Sequence, residues 1–155
     1  MGRREAVIVL HMTKPVNAAA GATILVVEDS AFLRTRIVSE LAELGGIESI
    51  LQAEDLSAAL SLLEAHRPAV AVLDLHLRAE LAFPILETIR NRSLPTVSII
   101  FSNAAPGPLQ ETALRLGARA FLPKSGGFED VLTAVSEILL SLPSSRPEPS
   151  AASAS

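Results

Sequence analysis

The chain has 155 residues, a formal net charge of −4 and no cysteine, and 49% of its residues are hydrophobic. This length favours one domain, and the composition is typical of a compact α/β protein. The absence of cysteine excludes disulfides, thiolate metal sites and cysteine nucleophiles. Because only 3% of the residues are aromatic and no Lys/Arg cluster occurs, nucleic acid is not an expected partner. No apolar run reaches the roughly 18 residues of a membrane span, so we expect a cytoplasmic protein without membrane contacts.

The two ends of the chain differ in composition from its middle. Residues 1–21 have no helical period and end in small residues, which predicts a flexible N-terminal leader. Residues 143–155 are rich in Pro, Ser and Ala and lack core-forming residues, which predicts a disordered tail. The globular domain is therefore predicted to span 22–142.

Apolar runs alternate with amphipathic segments along this domain. Ser30 is a good N-cap for the first helix, whose apolar positions begin at Phe32 and stop before Gly45-Gly46. Asp55 opens the second helix in the same way. The predicted strands are 23–28, 47–53, 69–73, 96–101 and 119–122, and the helices that follow them are 30–44, 55–66, 84–91, 108–116 and 128–141.

Five successive βα units predict a parallel sheet with helices on both faces. In such a sheet the carboxyl ends of the strands form one edge, where ligands bind. Polar residues stand at these ends after four of the apolar runs, namely Glu28-Asp29, Asp74, Ser102 and Lys124. We therefore expect three carboxylates, a hydroxyl and an ammonium to converge at one edge of the sheet.

Each of these residues also has an ordinary structural interpretation. Asp74 could cap a turn, and Glu28 and Asp29 suit the positive N-terminus of the first helix. Lys124 alone would be a solvated charge, and Ser102 a common loop residue. Together they indicate a cation site, because neighbouring carboxylates repel one another unless a cation lies between them. Hard oxygen ligands with room for water and phosphate describe a magnesium site, and an ammonium and a hydroxyl can bind phosphoryl oxygens.

The order and spacing of these motifs resemble the response-regulator receiver domain, the CheY-like module of two-component signalling. The matching residues are Glu28 and Asp29 in VVEDS, Asp74 in VLDL, Ser102 in IIFSN and Lys124 in FLPKS. The resemblance covers nearly all of the globular part. It implies a flavodoxin-like (βα)5 fold, a doubly wound parallel five-stranded sheet with strand order 2-1-3-4-5.

The resemblance also implies a chemistry. Asp74 would accept a phosphoryl group from a sensor histidine kinase or a histidine phosphotransfer protein in a Mg²⁺-dependent reaction. Asp29 and Asp74 would hold the metal directly, Glu28 through water, and the backbone carbonyl of His76 would be a further ligand. Lys124 would bind the phosphoryl group.

A switch is implied by the same resemblance. Ser102 would move toward the phosphoryl group, and Phe121 falls at the aromatic switch position of the family, with core packing as its alternative role. The added charge of roughly −1.5 to −2 would change the face made by the fourth helix, the fifth predicted strand and the fifth helix. That face would bind a downstream protein target, and a homodimer through it is left open. The chain would then be a signalling domain and not an enzyme, apart from its own phosphorylation and dephosphorylation.

Three places depart from the family pattern. Leu77 and Arg78 replace a Met-Pro turn, so we expect a differently shaped loop before the third helix. Ser125 replaces the proline that usually follows the lysine, and a cis bond there would cost about 3–4 kcal/mol. Asn103 replaces a small residue and would restrict access to the phosphoacceptor or alter dephosphorylation.

Four functions are compatible with the sequence to different degrees. The leading hypothesis is a stand-alone phosphoacceptor switch, since the acceptor, metal and phosphoryl-binding residues are all present and no output domain follows. The altered loops motivate a second, a pseudo-receiver that binds a partner without phosphorylation. A hydrolase of the haloacid dehalogenase type would need a second Asp where His76 stands. A flavin-binding protein is disfavoured because the acidic loop after the first strand would repel phosphate.

Overall fold

The computed structural model of the protein describes residues 5–9 and 21–143. A turn of 3₁₀ helix at Lys124–Gly126 accompanies the main elements. In chain order these are β1 (Glu5–Val9), β2 (Ala22–Val27), α1 (Ala31–Leu41), β3 (Ile47–Ala53), α2 (Leu56–His66), β4 (Val70–Leu73), β5 (His76–Leu77), β6 (Glu80–Leu81), α3 (Phe83–Asn91), β7 (Val97–Ser102), α4 (Pro108–Arg115), β8 (Ala120–Pro123) and α5 (Glu129–Ser141).

Five of the strands form the predicted parallel sheet. The sheet order is β1-β3-β2-β4-β7-β8, and β2, β3, β4, β7 and β8 pair in parallel. Without β1 this is the predicted order 2-1-3-4-5, which is thereby confirmed. The register pairs Val27 with Leu73 and Leu73 with Ile100, so β2 and β4 end side by side and β7 continues two residues further to Ser102.

The core has two layers, one on each face of the sheet. Alternate residues of β2 point to opposite faces, as strand geometry requires. Helices α2, α3 and α4 cover the face that contains Leu25 and Val27, and α1 and α5 cover the face that contains Ile24 and Val26. These four side chains of β2 are fully buried, and each contributes about 1.5–3 kcal/mol. Helices cover both faces of the sheet, which explains why the central strand β4, VAVL, is apolar throughout.

The helix starts follow the sequence signals. Ser30 Oγ accepts a hydrogen bond from the Leu33 N–H at 3.2 Å, and Asp55 Oδ1 accepts one from the Ala58 N–H at 2.8 Å. Phe32 is different, because its side chain is 73% exposed although the apolar period placed it on the buried face. The prediction for Phe32 is wrong because about 100° of rotation per residue puts it roughly 140° away from the buried Ile37.

The first described strand departs from the predicted flexible leader. Residues Glu5–Val9 pair antiparallel with β3, with Val7 opposite Leu51. The sequence EAVIV is rich in β-branched residues, and β3 would otherwise be an edge strand with unpaired backbone groups. The remaining residues of the predicted leader, 1–4 and 10–20, and the predicted tail from 144 onward lie outside the described residues.

None of the helices in the described ranges has the length and apolar character needed to cross a membrane.

Candidate functional site

The candidate site lies at the carboxyl edge of the parallel sheet. The Asp74 N–H donates to the Val27 carbonyl at 2.9 Å, which places the residue after β4 beside the end of β2. One carboxylate oxygen from each of Glu28, Asp29 and Asp74 lies within 4.8 Å of the other two. The parallel register thus brings together acids that are separated by about 45 positions in the chain.

Lys124 joins this cluster from the 3₁₀ turn that follows β8. Its Nζ donates a hydrogen bond to Glu28 Oε1 at 2.9 Å and lies 3.3 Å from Asp74 Oδ2. The lysine side chain is only 13% exposed. One ammonium therefore faces two nearly buried carboxylates, with the Asp29 carboxylate close by, so negative charge is in excess.

Glu28 is held at its backbone and its side chain. Its N–H donates to the Ala53 carbonyl at 3.0 Å, and its own carbonyl accepts from Arg34 Nη1 at 2.7 Å. Its Oε2 accepts from the Ser30 N–H at 3.1 Å. Burial raises the pKa of the Glu28 carboxyl to about 7; the hydrogen bond from Lys124 opposes this rise and the charge of Asp74 adds to it.

The donor set fits a magnesium ion. Three carboxylates contribute hard oxygen ligands within a small space, and among the described residues the ammonium of Lys124 alone is paired with them. Mg²⁺ is usually bound by few protein carboxylates and keeps several waters. A divalent cation here would also offset the burial that raises the pKa of Glu28. Glu28, Asp29 and Asp74 are therefore the residues that could hold the metal.

A small hairpin, β5–β6, follows Asp74 at once, and the sequence patterns did not predict it. Its two-residue turn contains Arg78 with φ +59°, in a region that favours glycine. Turn signals such as Asn-Gly are absent, and strands of two residues are too short for a period to be recognised. The loop at Leu77 and Arg78, where the sequence departs from the family pattern, forms this hairpin.

The hairpin register determines the direction of the His76 carbonyl. The Ala82 N–H donates to the Leu75 carbonyl at 2.9 Å, so Leu75 and Ala82 form a hydrogen-bonded pair. Such pairs alternate with non-hydrogen-bonded ones, and His76 opposite Leu81 is of the second kind. The backbone carbonyl of His76 therefore points away from the partner strand.

Ser102 and Asn103 follow on the neighbouring strand β7. Ser102 lies opposite Pro123, the residue before Lys124, and is 1% exposed. Its Oγ accepts a hydrogen bond from the Ala104 N–H at 3.0 Å, and within the described ranges it makes no hydrogen bond to the acidic cluster. Asn103 is exposed. The structure thus brings the three acids and Lys124 together and leaves the hydroxyl one strand away.

Phe121 and Ser125 flank the lysine. Phe121 is half-buried and packs against the core layer covered by α2, α3 and α4, so its alternative role in packing is present. No cis peptide bond occurs in the described parts of the chain, and the Lys124–Ser125 bond is accordingly trans. Ser125 belongs to the 3₁₀ turn that carries Lys124 toward the acids.

Known proteins resemble this chain in sequence and in structure. Residues 24–136 match the family model of the response regulator receiver domain. The "Probable transcriptional regulatory protein NarL" of Mycobacterium tuberculosis is 30% identical over 112 residues, which are 72% of this chain and 52% of NarL. A protein-glutamate methylesterase/protein-glutamine glutaminase of Alkalilimnicola ehrlichii is 34% identical over 132 residues, which are 81% of this chain and 34% of the relative. The chain thus spans about half the length of NarL and a third of the esterase.

Solved receiver domains share the fold. The receiver domain of NarL from Mycobacterium tuberculosis has a TM-score of 0.72 at 27% identity, covering 79% of this chain and 99% of that one. A receiver domain from Vibrio parahaemolyticus has a TM-score of 0.70 at 25% identity, covering 77% and 91%. Together with the family match over most of the chain, these likenesses show that the protein belongs to the response regulator receiver domain family of two-component systems.

Proposed function

We propose that the chain is a phosphoacceptor switch in which Asp74 receives a phosphoryl group from a phosphohistidine of a sensor histidine kinase or phosphotransfer protein. Phosphorylation on an aspartate and binding of Mg²⁺ are characteristic of the family. The observation that carries the proposal is the contact of Lys124 Nζ with Asp74 Oδ2 at 3.3 Å, inside a cluster of three carboxylates. The switch is proposed to comprise residues 22–142, with β1 added at the sheet edge.

The transfer step is a displacement at phosphorus. A carboxylate oxygen of Asp74 attacks, the new O–P bond forms as the P–N bond of the phosphoimidazole breaks, and the imidazole leaves and takes up a proton. The product is an acyl phosphate. Attack of water on the same phosphorus later releases phosphate and restores Asp74, so the chain acts as a signalling domain whose only catalysis is its own phosphorylation and dephosphorylation.

Charge stabilisation is the main requirement of this step. Glu28, Asp29, Asp74 and the outward-facing carbonyl of His76 would hold Mg²⁺. A bound Mg²⁺ would supply positive charge next to the phosphoryl oxygens. Lys124 already bridges Glu28 and Asp74, and we propose that it donates to the phosphoryl group once that group is attached.

The signal is proposed to leave the site through Ser102. Its Oγ now accepts from the Ala104 N–H, and its hydroxyl hydrogen can be donated to a phosphoryl oxygen. Movement of Ser102 toward that oxygen would strain its bond to Ala104 and so reach the loop before α4. Phe121 on β8 is the proposed partner in this change, and the face of α4, β8 and α5 is the proposed output for a downstream protein or a second copy.

The test is phosphorylation by a small donor. The full chain is incubated with acetyl phosphate and Mg²⁺, and incorporation is followed by intact-protein mass spectrometry. We expect wild type to be modified and Asp74→Asn to stay unmodified. Equal modification of both would eliminate Asp74 as the acceptor. If neither is modified, and partner binding is unaffected by Asp74→Asn, the pseudo-receiver function replaces this proposal.

We propose that the chain acts in the cytoplasm, because a histidine kinase obtains the phosphoryl group of its phosphohistidine from ATP.

A further inference from the structure

The hairpin β5–β6 is tied to the site by one residue, Arg78. The Arg78 N–H donates to Asp29 Oδ2 at 3.0 Å. Its guanidinium Nη2 lies 3.6 Å from Glu54 Oε1. Asp29 follows β2 and Glu54 follows β3, so this residue joins the tip of the hairpin to the ends of two strands.

The backbone at Arg78 is set by the hairpin turn. Its φ of +59° lies in the left-handed region, which two-residue turns require and which favours glycine. The base of the hairpin is fixed separately, since Leu77 is buried in the core and the Ala82 N–H bonds to the Leu75 carbonyl. The tip beyond Leu77 has exposed side chains up to Glu80, so Arg78 is the residue that joins it to the strand ends.

The attachment through Arg78 has a functional consequence because the hairpin contains His76. His76 has its backbone carbonyl in a non-hydrogen-bonded position, and this oxygen is the proposed main-chain metal ligand. The position of the hairpin therefore determines where that oxygen lies relative to the carboxylates. The same attachment holds Asp29, because Oδ2 of its carboxylate accepts the Arg78 N–H.

We infer that Arg78 is a positioning residue of the magnesium site, acting through its ion pair with Glu54 to hold the Asp29 carboxylate and the His76 carbonyl in place. The inference rests on the proposed function and deepens it. Arg78 itself is not a metal ligand in this scheme. Its N–H orients Asp29, and its guanidinium anchors the hairpin to the loop after β3.

The chain contains a second ion pair that serves as a matched control. Arg92 Nε lies 3.6 Å from Glu64 Oε2, the same separation as in the Arg78–Glu54 pair, and the two arginine side chains are similarly exposed at 62% and 56%. The Arg92–Glu64 pair joins the end of α3 to α2 instead of the site. A general loss of one surface ion pair should therefore affect both pairs alike, whereas a positioning role should appear with Arg78 only.

The experiment measures Mg²⁺ affinity directly. The full-length chain is titrated with Mg²⁺ and followed by ¹H–¹⁵N NMR, in which the Arg78 amide is itself a probe. For Arg78→Ala, Arg78→Gly and Glu54→Gln we expect the dissociation constant to rise about threefold to fivefold, the range of a partly exposed ion pair. Arg78→Gly also relieves the positive φ, so weakening in this variant cannot come from backbone strain. Arg78→Lys should recover part of the affinity, and Arg92→Ala should match wild type.

The double variant Arg78→Ala/Glu54→Gln separates coupling from unrelated damage. If the ion pair is what positions the site, the double variant should bind Mg²⁺ no more weakly than the weaker single variant. Wild-type affinity in Arg78→Ala, additive losses in the double variant, or an equal loss in Arg92→Ala would overturn the inference. Circular dichroism of each variant identifies any that fail to fold. If Arg78→Ala does not fold, the Mg²⁺ affinities of Arg78→Gly and Arg78→Lys decide whether Arg78 positions the site.

Failure of this inference is distinguishable from failure of the proposed function. Wild type that is modified by acetyl phosphate on Asp74, combined with unchanged Mg²⁺ affinity in Arg78→Ala, removes only the role of Arg78. Wild type that is neither modified nor binds Mg²⁺ removes both.

Discussion

The two ends of the parallel sheet use buried polar groups in different ways. At the amino ends of the strands the groups are neutral: Thr23 Oγ1 and Ser49 Oγ lie 3.0 Å apart, and Thr96 Oγ1 donates to the Pro68 carbonyl at 2.6 Å. At the carboxyl ends, Glu28 and Asp74 are 2% and 8% exposed and share the ammonium of Lys124. Thr96 at the amino end is buried and Thr23 and Ser49 are half-buried, but among the described residues only the carboxyl end buries charged groups.

This difference separates a structural end from a functional one. A buried hydroxyl is satisfied once it has a hydrogen-bond partner, and it then needs nothing from solution. Buried carboxylates that outnumber their cations keep an unfavourable charge that a metal ion can neutralise. The carboxyl end therefore has lower stability than it would have with ligand, and that deficit is available as binding energy for Mg²⁺.

Removing Lys124 should have the largest effect, because it leaves Glu28 and Asp74 without their ammonium. We expect Lys124→Met to lower the metal-free free energy of unfolding by about 3 kcal/mol, the lower end for a broken buried ion pair. Urea denaturation followed by far-UV circular dichroism is suitable, since the chain has neither Trp nor Tyr. Arg119→Met, at an exposed position before β8, is the control and should change little. An equal loss in both variants would contradict the role assigned to Lys124.

The pH dependence of metal-free stability should sharpen the comparison. The folded-state pKa of Glu28 is about 7, above its ordinary value of 4.5, so between these values the folded chain keeps a proton that the unfolded chain has released. Stability should therefore decrease as pH rises through this window, by on the order of 2–3 kcal/mol, and level off above it. Mg²⁺ should restore stability above pH 7 and have little effect near pH 5, where the carboxyl holds its proton.

Glu28→Gln provides the control for the pH prediction. This variant lacks the titrating group, so its metal-free stability should lack the decrease between about pH 4.5 and pH 7. A decrease of the same size in the variant would show that other groups cause it.

Overpacking at the amino end of the sheet should lower the free energy of unfolding by less than the loss of Lys124 does. It should not change the affinity for Mg²⁺. A Cβ on Gly21 would overlap the Cβ of Glu48 and lie 2.9 Å from its Cα, so the backbones of β2 and β3 would have to separate. We expect Gly21→Ala to lower the free energy of unfolding by about 2 kcal/mol. Affinity for Mg²⁺, measured by titration of the folded variant, should stay at the wild-type value. A large loss of that affinity would mean that the two ends are coupled.

The smallest effect is expected at Thr96. Replacing it by Val removes the donor to the Pro68 carbonyl and should cost about 1 kcal/mol. Because no charge is involved, the difference from wild type should be independent of pH and of Mg²⁺. Denaturation at several pH values with and without the metal checks this, and a pH-dependent difference would contradict the separation of the two ends.

The sequence by itself determined the elements and the identity of the strand-end residues. Ser30 and Asp55 could be recognised as N-caps because capping depends on neighbours within three positions. The alternation of strand and helix predicted a parallel sheet, and the family resemblance implied the order of its strands. Phe32 was assigned wrongly, because its five-residue spacing from Ile37 puts it on a different side of α1, and its side chain is exposed.

Only the tertiary structure decided which partners these residues have. Lys124 contacts Glu28 across 96 positions, and the Arg78 N–H contacts Asp29 across 49, so both contacts depend on sheet register and loop shape that no local pattern encodes. The hairpin β5–β6 and the pairing of β1 with β3 have the same origin, because short strands form only where an existing framework offers partners. Local periodicity supplied the strands and helices, and the long-range packing of the sheet assembled their ends into a site.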